Sequence, residues 1–215
     1  MLRWIWLLVL GLFVTLWWVG HGNSAPMAAT LSSGSGSVVC PMPPVFHLQS
    51  AEPMQSEVAG KMAAFRVGEA TVSPLAGFSV QARVLSREDY SLGREADYSP
   101  TDLALGWGPM AEPGMAEKLN IRQGGRFYRY EWGNDGPPIA PEQIIRNSAN
   151  MHMVPADRNV AQALDRIHAG DAVRVSGWLI RIDRDDGWRW QSSLSRDDSG
   201  PGACELVLVC SIEPR

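Results

Sequence analysis

Ser148, His152 and Asp157 are the residue types that serve as nucleophile, general base and orienting acid, and they follow one another closely in the chain. Hydrolysis is the chemistry such a set performs. Two observations count against it. No Gly-x-Ser-x-Gly elbow surrounds Ser148, and triad partners normally converge from separate elements rather than from one short stretch. In a loop, Asn147, Ser148 and Asn150 satisfy local backbone donors as Asx and Ser turns do. No catalytic residue is therefore assigned, and His152 acting as base on an envelope polymer, in a hydrolase or transferase, stands as the alternative to a binding role.

The acidic string from Asp183 to Gly187 has the look of a calcium loop. An EF-hand needs glycine at its sixth position and glutamate at its twelfth, whereas here Gly187 falls fifth and Leu194 twelfth, so a hairpin turn accounts for the string. His152 and His168 are far apart, and neither has a cysteine or carboxylate at ligand spacing, so no metal and no cofactor is expected. His168 suits the carbonyl end of a helix. The hydroxyl-rich stretch from Gln191 to Gly200 offers Arg196 as a grip for an anion. Trp107, Tyr128, Tyr130, Trp132, Trp188 and Trp190 supply flat rings that either fill a core or line a groove.

The elements that must position these residues read as follows. Two strands, Ala64 to Val72 and Phe78 to Ser86, are joined by a turn that Pro74 and Gly77 mark, and Phe78, Val80, Ala82 and Val84 give the second one buried face. Arg87 to Gly125 reads as a long irregular insertion, in which Thr101 caps a short helical turn that Gly106 and Gly108 end. A third strand, Gly125 to Trp132, alternates Phe127, Arg129 and Glu131 against Tyr128, Tyr130 and Trp132. Pro141 to Arg146 reads as a helical turn and Asn147 to Pro155 as a loop. Asp157 to His168 is the clearest helix, with Val160, Leu164 and Ile167 on one stripe and Gly170 as its stop. Ala172 to Ile182 and Trp188 to Ser192 flank Asp186-Gly187 as a hairpin, Gly177 marks a bulge or a sharp bend, and Cys204 to Ile212 forms the last strand. The fold class expected from this order is mainly β (α+β). A small OB-like curled barrel with a helix between its third and fourth strands is the first architecture, and an open antiparallel sheet with one packed helix the second.

Composition bounds the partners. The chain has 215 residues and a net charge of −4, without a Lys/Arg cluster, which excludes the concentrated positive charge that nucleic-acid binding draws upon. The apolar run from Trp4 to Val19 sits behind Arg3, with tryptophans at both ends where indole rings anchor a membrane interface. It is slightly shorter than the roughly 20 residues of a standard span. The stretch after it offers a poor cleavage site, which favours a retained single-pass transmembrane helix in the inner membrane with the C-terminal bulk outside the cytoplasm. Val39 before Cys40 argues against lipidation. The expected organisation is an anchor or signal segment over 1–20, a flexible Ser/Gly/Pro linker over 21–60, and one β-rich domain over 61–215.

Cysteine usage leaves alternatives open. Cys204 and Cys210 flank a strand and stand about 20 Å apart if it is straight, too far to pair with each other. Either Cys40 staples the linker to one of them, or the thiols stay buried or unpaired.

The stretches from Ala96 to Met110, from Ser148 to His152 and from Asp186 to Arg196 resemble those of a family of uncharacterised bacterial membrane-anchored or exported proteins. The resemblance implies no activity. It directs attention to loops held on a β scaffold, and the expectation is a binding module for an envelope protein or a small polar ligand. Its candidate ligand-binding residues are Tyr98, Asp102, Trp107, Tyr128, Ser148, Asn150, His152, Trp190 and Arg196.

Overall fold

The computed structural model describes residues 40–43, 52–195 and 203–215. The apolar segment read as an anchor and Arg196 lie outside them.

The order of elements is β1 (Met54–Ser56), β2 (Phe65–Val67), β3 (Ala70–Asp89), β4 (Thr101–Gly106), β5 (Arg122–Gly124), β6 (Phe127–Arg129), α1 (Pro141–Arg146), β7 (Ser148–Pro155), α2 (Arg158–Leu164), β8 (Ala172–Arg184), β9 (Arg189–Gln191) and β10 (Glu205–Pro214). The chain is thus mainly β, with few helices. The 20-residue β3 decides the architecture. Its first part pairs with β8 and its last part with β4, both antiparallel. β4 pairs with β7, β7 with β10 in parallel, and β10 with β8. These pairings form a ring of five strands. β1 and β2 edge β3, β9 edges β8, and β5 with β6 makes a separate two-stranded sheet.

One continuous β3 replaces the two strands read from the sequence. Pro74 and Gly77 do not turn the chain. They lie beside a register shift between Pro74 and Ala76 opposite Ile180 and Leu179, where a bulge tolerates a residue with no N–H to give. The bend this allows lets one strand serve two neighbours.

Two more ring strands come from stretches read as irregular. Thr101 opens β4 rather than capping a helical turn, and its hydroxyl donates to Asp89 Oδ1 at 2.7 Å. Residues 148–155, read as loop, form β7. The expected strand from Gly125 to Trp132 shrinks to β6, which stands outside the ring.

Inside the ring sit Phe78, Val80, Val84, Leu103, Leu105, Met151, Met153, Val175 and Val207, with Val160, Leu164 and Ile167 from α2 and the turn after it. The expected stripe on that helix is the packed one. Asp157 caps α2, its Oδ1 accepting from Val160 N at 2.9 Å. Gly177 is required where β8 crosses β10: a Cβ there would lie 2.0 Å from Leu208 O, beside the register shift between Val209 and Ser211.

Cys40 and Cys210 form a disulfide with Cα atoms 5.4 Å apart, and Trp178 Nε1 donates to Pro41 O at 2.7 Å. The staple is the alternative that the structure takes, in place of three unpaired thiols. β1 also lies within the stretch read as linker, and Val58 and Met62 pack on the outside of the ring with Trp178, Ile180 and Leu208.

Candidate functional site

Neighbouring residues of a strand point to opposite faces, so β4 and β7 each present two chemistries. Leu103, Leu105, Met151 and Met153 point into the ring. Asp102, Ser148, Asn150 and His152 point outward, and the register sets Asp102 directly across from His152. Being outward does not expose them. The outer surface is covered by two apolar groups, one around Trp178, Ile180, Leu206 and Tyr98, the other around Met110, Met115, Leu119 and Ile144 from the segment between β4 and β7. Asp102, Asn150 and His152 form a buried polar seam between them.

Asp102 is the centre of the seam and is fully buried. Arg126 Nη1 donates to its Oδ1 at 2.7 Å and Asn150 Nδ2 to its Oδ2 at 3.1 Å. His152 Nδ1 lies 2.9 Å from Oδ1, but the ring N–H is poorly aligned for a hydrogen bond. The contact is one of proximity rather than a hydrogen bond. Gln123 Nε2 donates to Asn150 Oδ1 at 2.7 Å, which fixes the Asn150 amide with its NH₂ toward the carboxylate.

Arg126 reaches this carboxylate from the turn between β5 and β6. Gly125 and Arg126 both have positive φ, 59° and 70°, the backbone of a tight two-residue hairpin turn. Arg126 N donates to Tyr90 Oη at 3.1 Å, and its carbonyl accepts from Asn150 Nδ2 at 3.2 Å and faces Cys204 Sγ at 3.7 Å. Its guanidinium carbon stands 3.8 Å from the centroid of the Tyr90 ring and 5.6 Å from that of Trp190. Nη2 is buried without an acceptor among the described residues.

Aromatic rings extend the seam along one edge. His152 and Trp190 have centroids 4.8 Å apart, Trp190 and Trp188 6.1 Å, and Trp188 stacks on Tyr98 at 5.9 Å. Arg184 Nη1 donates to the Tyr98 hydroxyl at 3.2 Å. Burial raises the Tyr90 phenol above its ordinary value, and the charge of Asp102 adds to that while Arg126 opposes it.

Of the residues selected from sequence, Asp102, Asn150, His152 and Trp190 come together, with Tyr98 joined through Trp188. Tyr128 and Ser148 form a neighbouring pair. Ser148 Oγ donates to Ile144 O at 2.6 Å, so its 2.8 Å contact with the Tyr128 hydroxyl has the phenol as donor. Burial pushes that phenol far above its ordinary range, against the opposing Ser148 contact. Ser148 is thus committed, and Asp157 is a helix cap, so the nucleophile and acid first considered with His152 are not its partners; its carboxylate is Asp102. Trp107 belongs to the ring interior and not to the site.

Arg126, Gln123 and Tyr90 were not selected from sequence. The signal for Arg126 was weak but present: an arginine after glycine between two short alternating stretches, where a turn prefers Asn or Gly. Among the described residues no three His, Cys, Asp or Glu side chains gather as a metal site. A concavity of about 1020 Å³ lies apart from the seam, lined by Arg83, Arg87, Lys118, Glu131 and Trp132 among others. Arg83 and Arg87 there donate to the carbonyls of Ala111, Gly170, Leu164 and Ile167.

Comparison with protein-family models, curated proteins and solved structures gives no match.

Proposed function

We propose that this chain is a binding module built on an OB-like barrel, held outside the cytoplasm by its N-terminal apolar segment, with the seam around Asp102 as its ligand site. The strand order around the ring is β3, β4, β7, β10, β8, with β7 and β10 parallel and α2 between the third and fourth ring strands. That order supports the OB-like reading. By analogy of fold, ligands of such barrels bind the face of the second and third strands between the loops after the first and fourth. Here these are β4 and β7, with Tyr90 and Tyr98 in one loop and Trp188 and Trp190 in the other. The Cys40–Cys210 bridge supports an oxidising compartment, and the acidic charge disfavours nucleic acid as the ligand.

The observation that carries the binding reading is the fully buried Asp102, held with Arg126, Asn150 and His152 on the outside of a barrel. Apolar residues there would give equal or greater stability, because removing charges from water costs several kcal/mol per ion. A site for a polar ligand gives the seam a reason to be charged. Thermal melts of the purified domain against arginine- and lysine-containing peptides, muropeptide fragments, hexoses and nucleosides test it. A rise in melting temperature over each protein's own ligand-free value that appears in the parent and disappears in Trp190→Ala and His152→Gln is the expected result. No rise with any class overturns the reading.

One observation favours the second reading, an envelope hydrolase or transferase. His152 has the carboxylate of Asp102 at 2.9 Å, which is the orienting half of a base and acid pair. It requires a water or substrate hydroxyl at Nε2 as nucleophile. Turnover of a chromogenic ester or glycoside, abolished by His152→Gln, would establish it over simple binding.

A further inference from the structure

Resting on the binding reading above, we propose that the seam is a guanidinium site, that Arg126 is its resident occupant, and that the ligand is a guanidinium group which takes the place of Arg126 when the β5–β6 hairpin lifts. The walls around Arg126 are those that hold a guanidinium in a recognition pocket. They are a buried carboxylate at 2.7 Å, a tyrosine face at 3.8 Å from the guanidinium carbon and a tryptophan at 5.6 Å, and together they combine a charge-assisted hydrogen bond with cation–π attraction.

Three features make Arg126 a replaceable occupant rather than a fixed strut. It sits at φ 70°, in a turn that favours Asn or Gly, so its side chain is kept against the preference of its own backbone. It meets Asp102 through Nη1 alone, Oδ2 being taken by Asn150 and Nη2 having no acceptor among the described residues. The two parallel hydrogen bonds of a forked arginine–carboxylate pair are not made, and a guanidinium free of the turn can adopt them. Finally, the element that carries it consists of two three-residue strands that form their own sheet and do not pair with the ring. A hairpin of that size has little stability of its own, so its place depends on what it presents to the ring: Arg126 and Gln123 in the seam, and Tyr128 bonded to Ser148 and packed on the Met110 and Ile144 group, about which it can hinge. Exchange of one guanidinium for another leaves Asp102 neutralised throughout.

The test removes the occupant from the full chain. In Arg126→Ala, methylguanidinium at millimolar concentration should raise the melting temperature with the logarithm of its concentration, by about 4 °C at ten times its Kd. Tetramethylammonium at equal ionic strength should not, and Asp102→Asn in the same background should abolish the effect. A blocked Gly-Arg-Gly peptide run in parallel separates the sources. A response to methylguanidinium alone assigns a small free ligand, and a stronger response to the peptide assigns an arginine of a partner chain. A folded Arg126→Ala that responds to neither overturns the proposal. Should that variant fail to fold, hydrogen exchange in the parent chain decides. Amides of residues 122–129 should exchange faster with Gly-Arg-Gly than with a blocked Gly-citrulline-Gly peptide, in which a neutral urea replaces the guanidinium, and equal rates overturn the proposal. A hexose or nucleoside that stabilises the parent chain in a Trp190-dependent way, while guanidinium compounds do nothing, would end this inference and leave the binding reading standing.

Discussion

The two faces of β4 and β7 share one stretch of backbone yet obey different rules. On the inner face, Leu103, Leu105, Met151 and Met153 are fully buried among other apolar side chains, and each adds stability through the water it excludes. On the outer face, Asp102, Asn150 and His152 are almost as buried, but every one of them needs a polar partner to offset its desolvation. The inner face tolerates neighbours of suitable size; the outer face tolerates only a particular set of partners. A region that is costly in stability and specific in chemistry is where a site is to be sought.

The contrast can be broken from the inside first. Leu103→Ala leaves a cavity in the ring and should lower unfolding free energy by about 4 kcal/mol, read by urea denaturation. It should leave the Asp102 contacts in place. Arg126→Met should cost about 3 kcal/mol, because it leaves a buried carboxylate short of its main partner. Adding Asp102→Leu to that variant should recover most of the loss, since neither charge then remains; further destabilisation by the second change would show that the outer face follows the inner rule after all. Tyr128→Phe removes the hydrogen bond to Ser148 and should cost about 1 kcal/mol at neutral pH.

Tyr128 also carries a pH signature. Its folded-state pKa is raised, so the stability it contributes is present below its ordinary value of 10.0 and is lost as pH rises above it. Tyr128→Phe should flatten the alkaline limb of a stability profile. The smallest effect belongs to Asp89. Burial alone would raise its carboxyl, but hydrogen bonds from Arg87 and Thr101 outweigh that and hold it below the usual value of 3.8. Its contribution is therefore present above that value and lost as pH falls through the lower folded one. Asp89 is well over half exposed, so screening limits the loss in Thr101→Val to about 0.5 kcal/mol, seen as a shallower slope on the acid limb.

How far the sequence disclosed this arrangement depended on how each strand is covered. β8, β10 and α2 were legible, as was the Asp-Gly hairpin, and Gly177, read as a bulge or sharp bend, lies beside a register shift. β4 and β7 were not. Both of their faces are buried, so the alternation of polar and apolar residues that marks a half-exposed strand is weak in them, and short polar residues such as Thr101 and Asn147 suggested caps and turns. Pro74 misled in the other direction, because a bulge can accept the residue that a turn would use. Within the site, Asp102, Asn150, His152 and Trp190 could be chosen by residue type. Arg126 could not, since its role exists only once a hairpin folds back over β4 and β7, and Trp107 was misplaced because nothing local distinguishes a core ring from a binding one.

The disulfide sets the path of mechanical force. A pull on the chain ahead of Cys40 reaches the ring of strands through Cys210. It arrives on β10, a strand bonded to β7 on one side and β8 on the other, so two ladders share the load. β7 is also the strand that carries Asn150 and His152, so tension on β10 arrives one strand away from the buried seam.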